Sequence, residues 1–287
     1  MIGDAPFLIG FDGGGTSCRA ALVAEGRRYD VTLGPANVST DFDAALATIR
    51  DALSALAEKA GVAPSALADA PAHLGLAGVI SPTIAARVTA ALPLGRAVVT
   101  DDRPTTIAGA LGDDDGAVAA IGTGSFIGRQ TGGRVTGIGG WGFRLGDQAS
   151  GAWLARRCLE EVMLAVDGIG PETDLTRRIL TEHGDDPGRI VHFSLSARPE
   201  DYARMAREIV AAAEAGDALG VRLMTEGADY ILAGLAALGW RPGEALCLAG
   251  GHGPAYAHWL GEPVTAAKGS ALDGALLLAA RAAEAGR

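Results

Sequence analysis

Apolar positions along this chain fall into two rhythms, short unbroken runs and longer stretches at helical spacing. The run at 6–11 is followed by Asp12-Gly13-Gly14-Gly15-Thr16-Ser17 and then by the apolar run Cys18–Ala24. That order predicts strand, glycine turn, strand, with a third strand over 28–33. Over 41–59, Leu46, Ile49, Leu53 and Leu56 recur at helical spacing and Gly61 follows, which predicts a helix. A strand over 72–77 ends at Gly78, a helix covers 82–92, and a strand over 97–100 stops at Asp101-Asp102. A helix opened by Pro104 covers 105–111.

The second half repeats this opening. A strand over 117–121 leads into Gly122-Thr123-Gly124-Ser125, then strands over 126–129 and 134–138. Helices are predicted over 147–166, 174–183, 199–213 and 217–238. A strand over 245–248 runs into Gly250-Gly251, and an apolar helix covers about 270–283. Alternating strands and helices, with a β-β-β opening used twice, predict an α/β protein of two related domains. The division is expected near Thr105, with the second domain over 106–269.

Composition sharpens the picture in three places. Of 287 residues 42 are glycine, about twice the ordinary frequency of ~7%, and they cluster rather than repeat. The net charge of −10 opposes a general nucleic-acid or anionic-membrane surface. It leaves room for a small phosphorylated ligand, whose charge Mg²⁺ and backbone amides offset. Lys59 and Lys268 are the only lysines, and neither stands in a Walker A loop. The chain also carries no protein-kinase signature. Cys18, Cys158 and Cys247 are odd in number and far apart, without a C-x-x-C. They predict core thiols in a reducing compartment rather than disulfides or a zinc ribbon. With neither a signal-like start nor an apolar run of membrane length, a soluble cytoplasmic protein is expected.

The candidate chemistry lies in the glycine clusters. In the first turn, glycines leave room for a ligand against the backbone, and successive N–H groups form an anion-binding concavity. Thr16 and Ser17 add hydroxyls, and Asp12 at the strand end is a candidate for Mg²⁺, held through water. Gly122, Thr123, Gly124 and Ser125 repeat that chemistry. Asp101 follows a strand, where a carboxylate can orient a substrate hydroxyl and accept its proton; a helix N-cap is its alternative role. Asp113-Asp114-Asp115 reads as a solvated turn. Gly137 to Gly151 contains a formal G-x-G-x-x-G without the helix and acidic residue of a dinucleotide site. It reads instead as a loop bringing Gly140, Trp141, Asp147 and Gln148 to a ligand, with Asp147 also standing where an N-cap would. Gly250 and Gly251 form a nucleotide-sized glycine patch or a plain strand-to-helix turn. Asn37 is the one asparagine in the chain, a candidate for paired hydrogen bonds to a polar substrate or an ordinary turn residue. The histidines show no metal-ligand spacing.

Together the two glycine-hydroxyl turns, Asp101 and the Gly250-Gly251 patch resemble the sugar kinase, actin and heat-shock chaperone superfamily. Asp12 to Ser17, Gly122 to Ser125, and Gly140-Trp141-Gly142 through Gly146-Asp147-Gln148-Ala149-Ser150-Gly151 are similar to the BadF/BadG-type ATPase family. Within it they look most like its N-acetylglucosamine and glucosamine kinases. The resemblance implies two RNase H-like (actin-like ATPase) domains with an interdomain cleft, the last helix, about 270–287, returning to the first domain (1–105). It implies ATP- and Mg²⁺-dependent phosphorylation of an amino sugar at its 6-hydroxyl, with glucosamine and N-acetylglucosamine both open and plain glucose beside them, and it makes a homodimer plausible. By position, Asp12 would help hold Mg²⁺ and the two turns would bind phosphates. Asp101 would accept the hydroxyl proton, Asn37 and Asp147 would bond the sugar, and Gly250 and Gly251 would lie against the nucleoside. The chain departs from the pattern at Gln148-Ala149, where Glu-Gly is common. Alternative readings are an ATPase that activates a 2-hydroxyacyl-CoA dehydratase, which needs cysteine ligands for a shared cluster, and an ATP-binding regulatory module.

Overall fold

The computed structural model describes residues 7–285. The chain divides into two units, Met1–Asp114 with Ala267–Arg287, and Asp115–Ala266.

The first unit opens with β1 (Phe7–Gly13), β2 (Cys18–Ala24) and β3 (Arg27–Leu33), an antiparallel meander. Then come α1 (Phe42–Ala60), β4 (Ala72–Leu76), α2 (Pro82–Ala91), β5 (Ala97–Thr100) and α3 (Asp102–Leu111). β4 pairs in parallel with β1 and β5 in parallel with β4, giving the order β3-β2-β1-β4-β5. The carboxyl ends of three neighbouring strands therefore lie along one edge, where α/β sheets bind ligands. β1 and β4 are apolar nearly throughout because helices cover the sheet. Ile9, Phe11, Leu74 and Leu76 are fully buried with Ile49, Leu53 and Leu56 of α1. The Asp41 side chain caps α1 by accepting the Ala44 N–H at 3.0 Å, and Gly61 ends it at φ 71°.

The second unit repeats the meander as β6 (Gly116–Ile121), β7 (Ser125–Thr131) and β8 (Arg134–Gly139). It continues through α4 (Gly151–Val166), α5 (Asp174–Glu182), α6 (Pro187–Ser196), α7 (Pro199–Ala203), α8 (Ala206–Glu214) and α9 (Ala218–Ala237) to β9 (Leu246–Ala249). β9 joins β6 in parallel, so the order β8-β7-β6-β9 copies β3-β2-β1-β4. Its core joins Ile121 and Ile127 of the sheet to Leu154, Cys158, Leu223 and Ile231 of the helices.

The last helix, α10 (Ala271–Ala285), belongs to the first unit. Leu8 of β1 and Val23 of β2 pack against its Ala279 and Ala283. It also crosses α3 at two glycines. A Cβ at Gly109 would overlap the Ser270 carbonyl, and one at Gly274 would overlap the Thr105 carbonyl. Asp273 ties the start of α10 down by accepting the Ser270 N–H and hydroxyl and pairing with Arg28 of β3.

Several boundaries differ from the sequence-based expectation. The division falls at Asp114–Asp115 rather than near Thr105, because α3 is packed against α10. α3 starts at Asp102, capped by Asp101, ahead of Pro104. α4 starts at Gly151 with Ser150 as its cap, accepting the Trp153 N–H at 3.1 Å, so Asp147 is not a cap. The helix expected over 199–213 is two helices, α7 and α8. α6 was not anticipated: its core-facing stripe is short, Ile190 buried with Phe193 and Ala197 partly buried behind it, while the intervening Val191 and Leu195 are exposed and blur the period. The acidic turn Asp113-Asp114-Asp115 is exposed as expected, and it carries two surface ion pairs, Lys268 with Asp114 at 2.6 Å and Arg281 with Asp113.

Candidate active site

In the first unit the candidate residues gather at the carboxyl ends of β1, β4 and β5. The turn after β1 is tight: the Gly14 N–H donates to the Ser17 carbonyl at 2.8 Å, which leaves Gly15 and Thr16 exposed at its tip. Gly13 lies against Leu76 and Ala36, too close for a Cβ. Asp12 sits directly across from Arg19 in the β1–β2 register and accepts from its guanidinium, with Nε at 3.0 Å. Ala36 donates to the Gly14 carbonyl at 3.0 Å and Val38 to Ala77 at 3.1 Å, which fixes Asn37 beside the turn. Asn37 Oδ1 accepts from the Ser39 N–H at 3.0 Å, the Ser39 hydroxyl at 2.9 Å and the Thr40 N–H at 3.3 Å. Its oxygen is committed to the turn, so its NH₂ donor is the group a ligand would meet. Gly78, at φ 86°, lies so close to that oxygen that no side chain fits there.

The two aspartates after β5 are not equivalent. Asp101 caps α3, accepting the Arg103 N–H at 2.9 Å, and its carboxylate is also gripped by the Arg103 guanidinium at 2.9 and 2.8 Å. Burial works to raise this carboxyl, but the Arg103 hydrogen bonds and charge outweigh it and hold it below its usual value. Asp102 has the opposite environment. Burial, then the charge of Asp101, push its carboxyl up to about 6, and the charge of Asp12 adds in the same direction. A carboxylate near 6 is a far better proton acceptor than one clamped by arginine. Sequence reasoning singled out Asp101; the signal for its neighbour was the repeated Asp itself, since like charges side by side push one of the pair up.

In the second unit four segments converge on the carboxyl ends of β6 and β9. The Gly122 N–H bonds the Gly124 carbonyl at 2.8 Å, closing the turn. Ser125, the first residue of β7, is buried and donates its hydroxyl to the Gln148 carbonyl at 2.6 Å. Gly151 and Ala152 donate to Gly122 and Thr123, and His252 donates to Ile121 at 2.9 Å. Gly250, at φ 79°, backs onto Ile121 with no room for a Cβ, and Gly251 beside it is exposed. Gly124 is held bare by the Asp147 carboxylate, which a Cβ would contact at 2.8 Å.

The loop between β8 and α4 carries the unusual backbone. Gly139, Gly140 and Gly142 have positive φ, as do Asp147 at 58° and Ala149 at 68°. Non-glycine residues in that region cost energy and cluster at functional sites. Ala149 stands where the resemblance implies that glycine is common. It is fully buried, and its carbonyl accepts the Tyr256 hydroxyl at 2.9 Å, which holds the alanine in a conformation glycine adopts freely. Asp147 accepts the Gly142 N–H at 3.2 Å, and burial raises its carboxyl against that bond. Trp141 is 75% exposed and Leu145 85% exposed, an aromatic and an aliphatic side chain presented openly by one loop.

Among the described residues no three His, Cys, Asp or Glu side chains form a metal cluster. No helix among them is long and apolar enough to cross a membrane.

The model of the BadF/BadG/BcrA/BcrD ATPase family matches residues 9–261. The glucosamine kinase of Vibrio cholerae is 32% identical to this chain, with 96% of each covered. An N-acetylmuramic acid/N-acetylglucosamine kinase of Clostridium acetobutylicum is 25% identical over 77% of this chain and 76% of its own. The crystal structure of a candidate N-acetylglucosamine kinase from Chromobacterium violaceum superposes with TM-score 0.85 at 31% identity, covering 96% of this chain and 99% of its own. A Streptomyces griseus ROK-family glucokinase shares the fold at TM-score 0.55 and 19% identity, covering 97% of this chain and 99% of its own.

Proposed function

The chain belongs to the BadF/BadG/BcrA/BcrD ATPase family, and from that premise we propose that it is an amino-sugar kinase transferring the γ-phosphoryl group of ATP to the 6-hydroxyl of a hexosamine. The observation that carries this reading is the similarity to the V. cholerae glucosamine kinase along 96% of both chains. It is supported by the twice-used glycine turn and by the unequal carboxylates after β5.

Phosphoryl transfer asks for positioning and charge stabilisation rather than covalent chemistry. The backbone turns at Gly13–Gly14–Gly15–Thr16–Ser17 and Gly122–Thr123–Gly124–Ser125 suit phosphate oxygens, and Gly250 and Gly251 leave a side-chain-free surface for the nucleoside. The Asn37 amide supplies a fixed donor to a sugar oxygen, and Asp147 and Gln148, with Gly140 and Trp141, offer further polar and stacking contacts. The donor set here is oxygen-only and sparse, which fits an ion that keeps its waters and binds mainly through phosphates. Asp12, whose carboxylate also pairs with Arg19, is the residue that would hold Mg²⁺ through water, and Mg²⁺ would supply charge neutralisation there.

The proton acceptor in this reading is Asp102 rather than Asp101. Asp101 keeps α3 capped and Arg103 in place, and its charge raises Asp102. Asp102→Asn is expected to cut kcat by about 10²–10⁴ with little change in sugar KM. Asp101→Asn, which keeps the cap, loses at least tenfold less. Steady-state kinetics on both variants checks the order, and the reverse order overturns it. The function itself is tested by ADP release from Mg·ATP with glucosamine, N-acetylglucosamine, glucose or no sugar. Stimulation by one amino sugar names the substrate. Hydrolysis indifferent to sugar sinks the reading.

A further inference from the structure

His73 is a buried imidazole outside every contact considered so far. It lies on β4 with 6% of its surface exposed, in a position that an apolar residue would fill as well. Its Nε2 is 3.1 Å from Thr100 Oγ1, the last residue of β5, and that hydroxyl donates to the Asp101 carbonyl at 2.8 Å. A threonine hydroxyl has one proton. Since the carbonyl receives it, the histidine must donate from Nε2, which fixes the tautomer. Burial lowers His73 to about 4, so at neutral pH the ring is uncharged and donates as the Nε2–H tautomer. The Asp101 carbonyl belongs to the peptide that carries the Asp102 nitrogen. On the far side of that residue, the Thr105 and Thr106 hydroxyls donate to the Asp102 carbonyl at 3.0 and 2.8 Å. The backbone of Asp102 is thus held on both sides, from behind by a two-residue relay through the sheet.

We infer that His73 and Thr100 are positioning residues that set the orientation of Asp102 toward the substrate hydroxyl. This rests on the reading of Asp102 as proton acceptor. Neither residue touches substrate; they act by denying the Asp101–Asp102 peptide its freedom to rotate at a strand end. A group a fraction of an ångström out of line loses rate far more than affinity.

The test separates the relay from mere filling of the core. Thr100→Val is close to isosteric and suits a strand, so it removes the hydroxyl while keeping the volume. It is expected to lower kcat about tenfold or more, with KM for sugar and ATP within twofold and a melting temperature lowered by no more than a few degrees, since it also leaves the buried His73 N–H unpaired. Thr100→Ser, which restores the hydroxyl, returns kcat to within twofold of wild type. His73→Leu reproduces the loss, and adding it to Thr100→Val brings no further fall, because both cut one chain. His73→Gln, which keeps an N–H donor, recovers part of it. Asp102→Asn is assayed alongside. Wild-type kcat in Thr100→Val beside an inactive Asp102→Asn overturns the relay and spares the parent reading. Equal losses in the Val and Ser variants, tracking lost stability, also overturn it. An active Asp102→Asn enzyme overturns both.

Discussion

Asp101 and Asp102 share a peptide bond, yet Arg103 takes hold of one and leaves the other among carboxylates. Their unequal proton affinities have a direct consequence. A base must be ionised to accept a proton, and Asp102 sits at about 6. kcat/KM should therefore be full above neutral pH and fall as pH drops through about 6, one decade per pH unit. In Asp101→Asn the limb should move to lower pH, because a charge that raises Asp102 is gone. A pH–rate profile of both proteins checks this, and an unmoved limb counts against the coupling. The sequence could show that two aspartates end a strand. It could not show which one an arginine two residues on would fold back to grip, because that depends on the helix turn Asp101 caps. The Asn37 oxygen is a similar case: its commitment to Ser39 and Thr40 emerges only from the turn geometry.

Among the elements, the strands of both meanders and the long helices were legible because apolar runs and capping residues agreed. Asp41 and Gly61 bracket α1 as expected, and Cys18–Ala24 is a strand end to end. What escaped was structure whose apolar pattern is short or misleading. α6 has one buried residue, and the α7–α8 break at Arg204-Met205 interrupts a segment whose apolar spacing runs straight across it. The α3–α10 crossing was also hidden, since a glycine inside a helical pattern carries no label of the partner it admits. That crossing makes a prediction. Alanine at an exposed helical glycine ordinarily stabilises by about 0.4–1 kcal/mol. Gly274→Ala instead drives a methyl into the Thr105 carbonyl and the Gly109 backbone. It should destabilise by about 1–3 kcal/mol or more, seen as a melting temperature lowered by several degrees. A neutral or stabilised variant would mean the helices part easily.

On the scale of the whole molecule, the same sheet order appears in both units, and the family signature spans the junction between them. The cysteines bear on the alternative activity. Cys18, Cys158 and Cys247 are all buried, and none is in a disulfide. Burial, with nearby carboxylates adding to it, pushes Cys18 and Cys158 up to about 12, so neither is a thiolate at neutral pH. A cluster shared between subunits draws its ligands from the surface. The native protein should resist a thiol-disulfide reagent at pH 8 over minutes and yield three thiols only when unfolded. Rapid modification of the folded protein at any one of them would reopen the activator reading.

The return of α10 to the first unit also sets an order of events during synthesis. On the ribosome, residues up to Asp114 emerge first, but their sheet lacks the cover that α10 gives to Leu8 and Val23 until Asp115–Ala266 has been made. The second unit is one uninterrupted stretch and contains all of its own core. Of the two units, the one translated earlier is thus the one completed later, and the nascent chain must carry an open apolar sheet face while its neighbour folds.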